Sequence, residues 1–369
     1  MYEEQFAAVA LSRVAGIGPA VYRQLLIHFG TAAAALAAEP AALRRVPGIS
    51  ERIARVVPSG ELRAEAERIV DYADRNGVRI LRAGDEGYPA NLAGYDKAPA
   101  VLYHYGETDL RRRRVIAVVG TRRISKEGGR QIERMLDPLR DYDPLIVSGL
   151  AYGIDTAAHR RALAIGLPTL AVLGSGLQHV YPASNRKLAR EMSRRGGGLL
   201  TEYPHWVQPE REHFPARNRI VAMLADLTLV VESDVAGGSI ITANMAHACG
   251  RKVGACPGRG GDVATAGCND LIKQGKAHLV DDCADILRIL RWEPAAEGKR
   301  QLALFASLPP EQQRLAQVLR EGGEPVHVDA LQRALDVPPN RLAGLLLTME
   351  MAGTIAALPG RRYRMSAGG

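Results

Sequence analysis

The sequence predicts an α/β protein: an extended, Rossmann-like, doubly wound sheet with a helical domain before it and a winged-helix domain after it. Three observations lead there. Seven short apolar runs recur between residues 115 and 280. None alternates apolar with polar, so both faces of each strand should be buried, as in parallel sheets. Stretches of helical periodicity separate the runs, as crossover helices require. Composition also changes at both ends of this region. At roughly 100–200 residues per domain, 369 residues predict two or three domains. The expected divisions are 1–75, 76–292 and 300–369.

Residues 1–75 are Ala-rich and helical. Arg13-Val14-Ala15-Gly16-Ile17-Gly18 is echoed by Arg45-Val46-Pro47-Gly48-Ile49-Ser50, 32 residues later. Each copy joins two helical stretches through a glycine turn whose free N–H groups could face phosphate. This looks like a tandem helix-hairpin-helix (SAM-like) module. Nine basic residues against nine acidic leave the segment neutral, so a purely structural pair of hairpins stays open.

Residues 76–110 read as a Gly/Tyr/Pro-bearing connector. The basic run Arg111–Arg114 follows, either a solvated turn or a DNA contact. The strands come next: Val115–Val119, Leu145–Gly149, Thr169–Gly174, Leu199–Glu202, Leu227–Glu232, Lys252–Ala255 and His278–Val280. A helix at Asp282–Leu290 and the linker Trp292–Gly298 end the region.

The last segment carries helices at Pro310–Arg320 and Val328–Leu335, and a third opened by Pro338-Pro339-Asn340 and running to Met351-Ala352; Gly322-Gly323 stop the first and Gly353 the third. Thr354–Leu358 and Arg361–Met365 follow as a hairpin with a basic second strand. That is a winged-helix outline, with the third helix in the recognition position. The helix is poor in charge, so contact with protein is as open as contact with DNA.

Composition excludes several classes. With 47% apolar and 24% charged residues, the chain is neither mainly disordered nor fibrous. The first residues, Met1–Gln5, are acidic and lack the basic start of a secretory signal, and no apolar run approaches the ~20 residues of a bilayer span. Cys249, Cys256, Cys268 and Cys283 form no Cys-x-x-Cys pair and no zinc-ligand spacing, as expected of reduced thiols in a cytoplasmic protein. No metal or cofactor is expected. The net charge of +8 suggests a polyanionic partner. Most of it lies in 76–295, with 30 basic against 24 acidic residues. Aromatic content, 5%, is low and suggests few stacked bases.

In an open parallel sheet, ligands gather beyond the carboxyl ends of the strands. The sequence places glycines, small hydroxyls and arginines there. Gly120-Thr121-Arg122 follows the first strand, Ser148-Gly149 through Tyr152-Gly153 the second, and Ser175-Gly176 the third, with Lys187 downstream. Phe214, Arg217 and Asn218 follow the fourth, and Gly238-Ser239 with Thr242 the fifth. Helix N-termini, backbone left bare by glycine, and forked guanidinium donors all suit phosphate. The P-loop, the dinucleotide glycine fingerprint and the nucleophile elbow are absent. Asp155, His159, Glu202 and Glu232 are the candidate acids and bases. Asp155 reads more naturally as a helix N-cap, and the glutamates as orienting groups for Arg or Asn.

The segments Ser148–His159, Leu173–Gly176, Tyr181-Pro182, Glu202–Pro204, Phe214–Arg219, Gly238–Ala243 and Cys256–Gly258 resemble the DprA/Smf family (DNA-processing protein A). The resemblance covers about 115–290, and the flanking domains fit the three-domain form. It implies a single-stranded DNA-binding protein of natural transformation, not an enzyme. Such a protein protects incoming strands, forms a homodimer through the Rossmann-like domain, and loads RecA recombinase onto DNA coated by single-strand-binding protein. It further implies that Arg122, Lys187, the Arg217-Asn218 pair and the Gly238-Ser239 turn contact DNA, Arg122, Lys187 and Arg217 neutralising phosphates. Tyr152 stands where the family varies.

Two rivals stay in view. Nucleotide phosphoribohydrolases of the lysine-decarboxylase-like group carry a related Gly-Gly turn followed by a catalytic glutamate. Here Ile241–Met245 holds none. The other is a duplex-DNA regulator acting through the winged helix.

Overall fold

The computed structural model describes residues 2–112, 114–293, 309–321, 325–351 and 355–365. Arg113 of the basic run, linker residues 294–298, residues 300–308 of the third expected domain, and the helix stops Gly322-Gly323 and Gly353 lie outside the described residues, as do Ala352 and Thr354. The chain forms two compact units, Met1–Trp292 and Glu293–Gly369.

The first unit opens with six helices: α1 Tyr2–Arg13, α2 Pro19–Phe29, α3 Ala32–Ala37, α4 Pro40–Leu43, α5 Glu51–Val56 and α6 Gly60–Asn76. Their starts are written in the sequence. Pro19 and Pro40 take first-turn positions, where no N–H is missed. The Thr31, Ser50 and Ser59 hydroxyls accept from backbone N–H groups three residues on. The 32-residue echo is structural as well. Ile17 N–H donates to Val14 O at 2.9 Å, and Ile49 N–H to Val46 O at 3.1 Å. A Cβ on Gly16 would meet Ile53 at 2.8 Å, and one on Gly48 would meet Val21 at 2.9 Å. Val21 and Ile53 are themselves 32 apart, so each hairpin turn packs on the other copy's second helix.

The connector expected over 76–110 instead holds two strands, β1 Arg79–Arg82 and β2 Val101–Gly106. Ile80, Val101 and Tyr103 pack among the helices α1–α6, whereas Leu81 and Leu102 face the sheet's core. This alternation over four to six residues seals the helical layer onto the sheet. The run is too short, and too interrupted by Arg, to announce itself as a strand.

Seven parallel strands follow: β3 Val115–Val119, β4 Leu145–Ser148, β5 Thr169–Val172, β6 Gly198–Thr201, β7 Leu227–Val230, β8 Lys252–Ala255 and β9 His278–Leu279. The nine-stranded order is β1-β2-β6-β5-β4-β3-β7-β8-β9. Only β1–β2 and β2–β6 pair antiparallel. In β3, Val115, Ala117 and Val119 enter one core layer, and Ile116 and Val118 the other. One layer is closed by α10 His213–Leu224 and α11 Gly238–Ala248. The other is closed by α7 Lys126–Leu136, α8 Ile154–Ala164 and α13 Cys283–Leu290. Helices α9 Arg186–Ser193 and α12 Ala266–Lys273 complete the unit. Burial on both faces explains the unbroken apolar runs. The winding reverses between β3 and β7, the topological switch point. Of the four cysteines, Cys256, Cys268 and Cys283 are buried and none is in a disulfide.

The second unit holds α14 Pro310–Glu321, α15 Val328–Leu335 and α16 Pro339–Met351, with a small sheet of order β10-β12-β11 (Val326–His327, Arg362–Met365, Ile355–Leu358). Leu315, Leu319, Leu331, Leu342, Leu346 and Ile355 form its core. This is a winged helix. In the recognition position, α16 ties Arg341 to Glu311 at 2.8 Å and exposes Leu347 and Met351.

The loop between β4 and α8 depends on Gly153, whose φ of 75° and ψ of −125° no side chain tolerates well. A Cβ there would sit 2.2 Å from Thr121 O. Gly153→Ala should cost at least ~1–3 kcal/mol from backbone strain alone, read as a lower urea midpoint at unchanged slope. An unchanged midpoint would contradict this packing.

Candidate nucleic-acid interface

The carboxyl ends of β3 and β7 open on a pocket of about 680 Å³. Residues from five chain segments line it: Val119–Arg122; Gly149, Ala151 and Asp155; Tyr181; residues within Pro209–Val221; and residues within Ser233–Thr242. Of the sequence-selected residues, Gly120, Arg122, Gly149, Phe214, Arg217, Asn218, Gly238, Ser239 and Thr242 come together here.

The cations divide by burial. Arg122 is exposed at the rim, its guanidinium 5.9 Å from the centre of the Phe214 ring. Arg211 is exposed on the same pocket. Arg217 is buried at 4% exposure and donates to Val172 O. Its guanidinium occupies the space where a Cβ on Gly149 would stand, so residue 149 must be glycine. Burial pulls the Arg217 guanidinium below its usual range, and the nearby Asp155 carboxylate offsets part of that. Arg217, expected from the sequence to neutralise phosphate together with Arg122 and Lys187, forms the floor of the pocket.

Asp155 is the second residue of α8, and its own helix N–H groups are not its partners. Its carboxylate accepts from Gly149 N–H at 3.1 Å and Ala151 N–H at 3.2 Å. It pins the preceding loop, and Gly153 holds the N-cap position that the sequence gave to Asp155. Burial raises the carboxyl above the usual range; Arg217 and the two N–H donors pull the other way. The remaining acid–base candidates are also held structurally. His159 Nδ1 pairs with Thr169 Oγ1 at 2.7 Å, and burial lowers the ring to about 3. Glu202 pairs with Arg219, the orienting role expected of it. Glu232 accepts from the Ser125 N–H and hydroxyl, at the start of α7, where an Arg or Asn partner was expected.

Opposite Arg122, α11 begins at Gly237-Gly238 with no side-chain cap. Nothing lies within 4 Å of where a Gly238 Cβ would be. The open first turn presents N–H groups and the positive end of an eleven-residue helix to the pocket. Ser239 donates to Ser233 Oγ at 2.7 Å, and Thr242 Oγ1 lies 3.4 Å from Gly238 O, so both hydroxyls brace this turn. One wall is aromatic: Tyr181 is 42% exposed, with its ring 5.6 Å from Phe214. Asp155 and Asp234 are the acidic members of the lining.

Five sequence-selected residues fall outside this pocket. Ser148 is buried and donates to Val118 O at 2.6 Å, which locks β4 to β3. Ser175 is buried and donates to His179 O at 2.6 Å. Gly176 lies where a Cβ would be 2.0 Å from Pro204 O. Tyr152 is 48% exposed in a neighbouring groove with Arg160 and Ser184. Lys187 is exposed on α9. Conversely, Thr121, Tyr181, Arg211 and Ser233 line the pocket without having been selected. Tyr181 lay inside a recognised motif, and Arg211 stands three residues before Phe214 in the turn entering α10.

Comparison with known proteins assigns the chain. The model for DNA recombination-mediator protein A matches residues 79–291. This chain belongs to that family, DprA/Smf. DprA models for an N-terminal helix-hairpin-helix domain and a winged-helix domain match residues 2–67 and 302–361. Protein Smf of Escherichia coli (strain K12) is 35% identical over 312 residues, covering 82% of each chain. DNA processing protein DprA of Streptococcus pneumoniae is 42% identical over 203 residues, 55% of this chain and 71% of that protein. Among solved structures, DprA from S. pneumoniae aligns over 78% of this chain and 98% of its own, at 31% identity and a TM-score of 0.62. DNA processing protein A from Helicobacter pylori, described for its single-stranded DNA binding mode, aligns over 58% of this chain and 95% of its own, at 27% identity and 0.52.

Removing Arg217 as Arg217→Met takes away the nearby charge that favours the Asp155 carboxylate and should destabilise the fold near neutral pH. Asp155 holds its proton more tightly folded than unfolded, so its contribution falls as pH rises through the carboxylate range. Without Arg217 the carboxyl rises further and the fall steepens. Urea unfolding at pH 5 and pH 7 should show the larger loss at pH 7, flattened by adding Asp155→Asn. Parallel pH curves for variant and parent would refute the pairing.

Proposed function

We propose that the switch-point pocket captures single-stranded DNA by its phosphate backbone, independently of sequence. One observation carries the reading. Strand-end turns from across the sheet converge on a single pocket with two exposed arginines, an uncapped helix N-terminus and an aromatic wall. Arg122 and Arg211 neutralise phosphates at the rim, and the α11 amides take a further phosphate oxygen. The Tyr181 and Phe214 rings receive unstacked bases. Duplex DNA keeps its bases stacked and inaccessible to such a wall, so single strands are preferred.

The same reading extends to biology. The H. pylori relative is described by its single-stranded DNA binding, and the family is one of recombination mediators. We infer that this chain acts in the cytoplasm during natural transformation, where it protects incoming strands. A homodimer formed through the Rossmann-like domain places two pockets on one strand and raises affinity through effective concentration. Single-strand-binding protein and RecA are its inferred partners, RecA being loaded onto the held strand. The role is binding, without catalysis. Asp155, His159, Glu202 and Glu232, the groups a hydrolase would use, are each engaged in structural bonds. Duplex recognition by the winged helix is disfavoured, since Arg341 is engaged by Glu311 and the helix presents Leu347 and Met351.

Fluorescence anisotropy with oligo-dT tests this. Arg122→Ala/Arg211→Ala should weaken binding and lower the log–log salt slope by about 1.4, two single-strand contacts at ~0.7 each. Arg362→Ala/Arg364→Ala in the wing should leave single-strand affinity unchanged. A pocket variant that binds as the parent does at moderate salt would rule the pocket out.

A further inference from the structure

Beside the switch-point pocket lies a second cleft of about 550 Å³, between α6 and α9. It is lined by Tyr72 from α6, Tyr105 from the end of β2, Gln178 and Val180 from the loop after β5, and Arg186 and Arg190 from α9. We propose that this cleft is a second single-stranded DNA subsite, which takes the strand as it leaves the switch-point pocket. The proposal rests on the reading of that pocket given above.

Four observations carry it. First, no carboxylate among the described residues lines the cleft, whereas Asp155 and Asp234 line the first pocket. The charges among its lining residues are therefore two guanidinium groups one helical turn apart. Second, both arginines are exposed, and neither is engaged in an ion pair or side-chain hydrogen bond among the described residues. By contrast Arg195, further along the chain, is bound to Glu191 at 2.9 Å. Free, adjacent guanidinium groups on a helix are suited to successive phosphates. Third, two tyrosine rings share the cleft. Tyr105 is 42% exposed, and Tyr72 is backed by a stacked His205 at 3.6 Å. Buttressing holds the Tyr72 ring in place, as a stacking platform requires. Aromatic faces beside cations select unstacked bases over a plain anionic peptide. Fourth, the two sites meet at consecutive residues of one loop. Val180 lines the cleft and its neighbour Tyr181 lines the pocket, so a strand crossing Tyr181 passes directly from one to the other.

The consequence is a contribution from the helical N-terminal layer. That layer is neutral overall, and it enters the interface by supplying Tyr72 and one wall of the cleft instead of a basic surface. Lys187 is on the same helix α9 and is exposed.

The test compares oligo-dT of two lengths, about six and about twenty nucleotides, on the full-length protein. Arg186→Ala/Arg190→Ala and, separately, Tyr105→Ala should leave the affinity for the short oligonucleotide at the parent value. Each should weaken the long one at least about fivefold, the loss a single stacked base gives. The arginine pair should also lower the salt slope for the long oligonucleotide by about 1.4. A long oligonucleotide made abasic outside its central six positions should lose affinity on the parent as Tyr105→Ala does. Unchanged long-strand affinity overturns the subsite. Equal losses at both lengths overturn it too, since they would place these residues in the first pocket. Full affinity for the abasic strand overturns base stacking and leaves an anion groove open to acidic peptides. Failure of the first pocket reads differently: Arg122→Ala/Arg211→Ala would then leave the short oligonucleotide unaffected.

Discussion

The buried charge between Arg217 and Asp155 organises everything at the carboxyl end of this sheet. A guanidinium sits almost dry above Gly149, gives one hydrogen to the last residue of β5 through Val172 O, and faces a carboxylate that pins the Gly149 and Ala151 amides. Each charge offsets part of the other's cost of burial, beside the hydrogen bonds each makes to backbone. The loops from β4 and β5 and the start of α10 are thereby fixed relative to one another. Only with that floor rigid can the exposed arginines, the aromatic wall and the α11 amides keep a common geometry. Asn185 reinforces the same loop, donating to Leu150 O at 2.9 Å and Thr156 Oγ1 at 2.8 Å.

This separates two jobs that arginine performs within one short segment. Arg211, exposed, is free to meet a ligand; Arg217, six residues on, is structural. On the proposed function, a polyanion meets cations at Arg122 and Arg211 that are exposed on the pocket and are not part of its buried floor. The net charge of +8 acts in the same sense. Most of that excess lies in 76–295, the region of the pocket, and on the proposed function it steers the strand from a distance and is screened by salt.

Much of the fold was legible because parallel strands buried on both faces write continuous apolar runs. All seven runs became strands, and the segments that follow five of them supply the pocket. Strands β1 and β2 escaped notice because an edge hairpin needs few residues, and Arg79 and Arg82 break its apolar pattern. The glycines of the pocket answer to two constraints: the left-handed backbone at Gly153 and the Arg217 guanidinium packed against Gly149. The arginines were harder. Sequence places Arg211 and Arg217 in one segment, but the turn before α10 leaves Arg211 in solvent while the phase of α10 carries Arg217 to the end of β5. The same phase effect sends Arg186 and Arg190 into the second cleft and leaves Lys187 outside both sites. Low aromatic content suggested little stacking, yet Tyr181 and Phe214 are concentrated where they count. Composition reports quantity and is silent on placement.

Hydrogen exchange read by mass spectrometry, with and without saturating oligo-dT, tests the central claim most directly. The account predicts slowed exchange at residues 120–123, 149–155, 209–218 and 233–242, with the amides at the start of α11 among the most protected. Protection confined to the winged helix or to the hairpin turns near Gly16 and Gly48, with the switch-point segments unchanged, would contradict it.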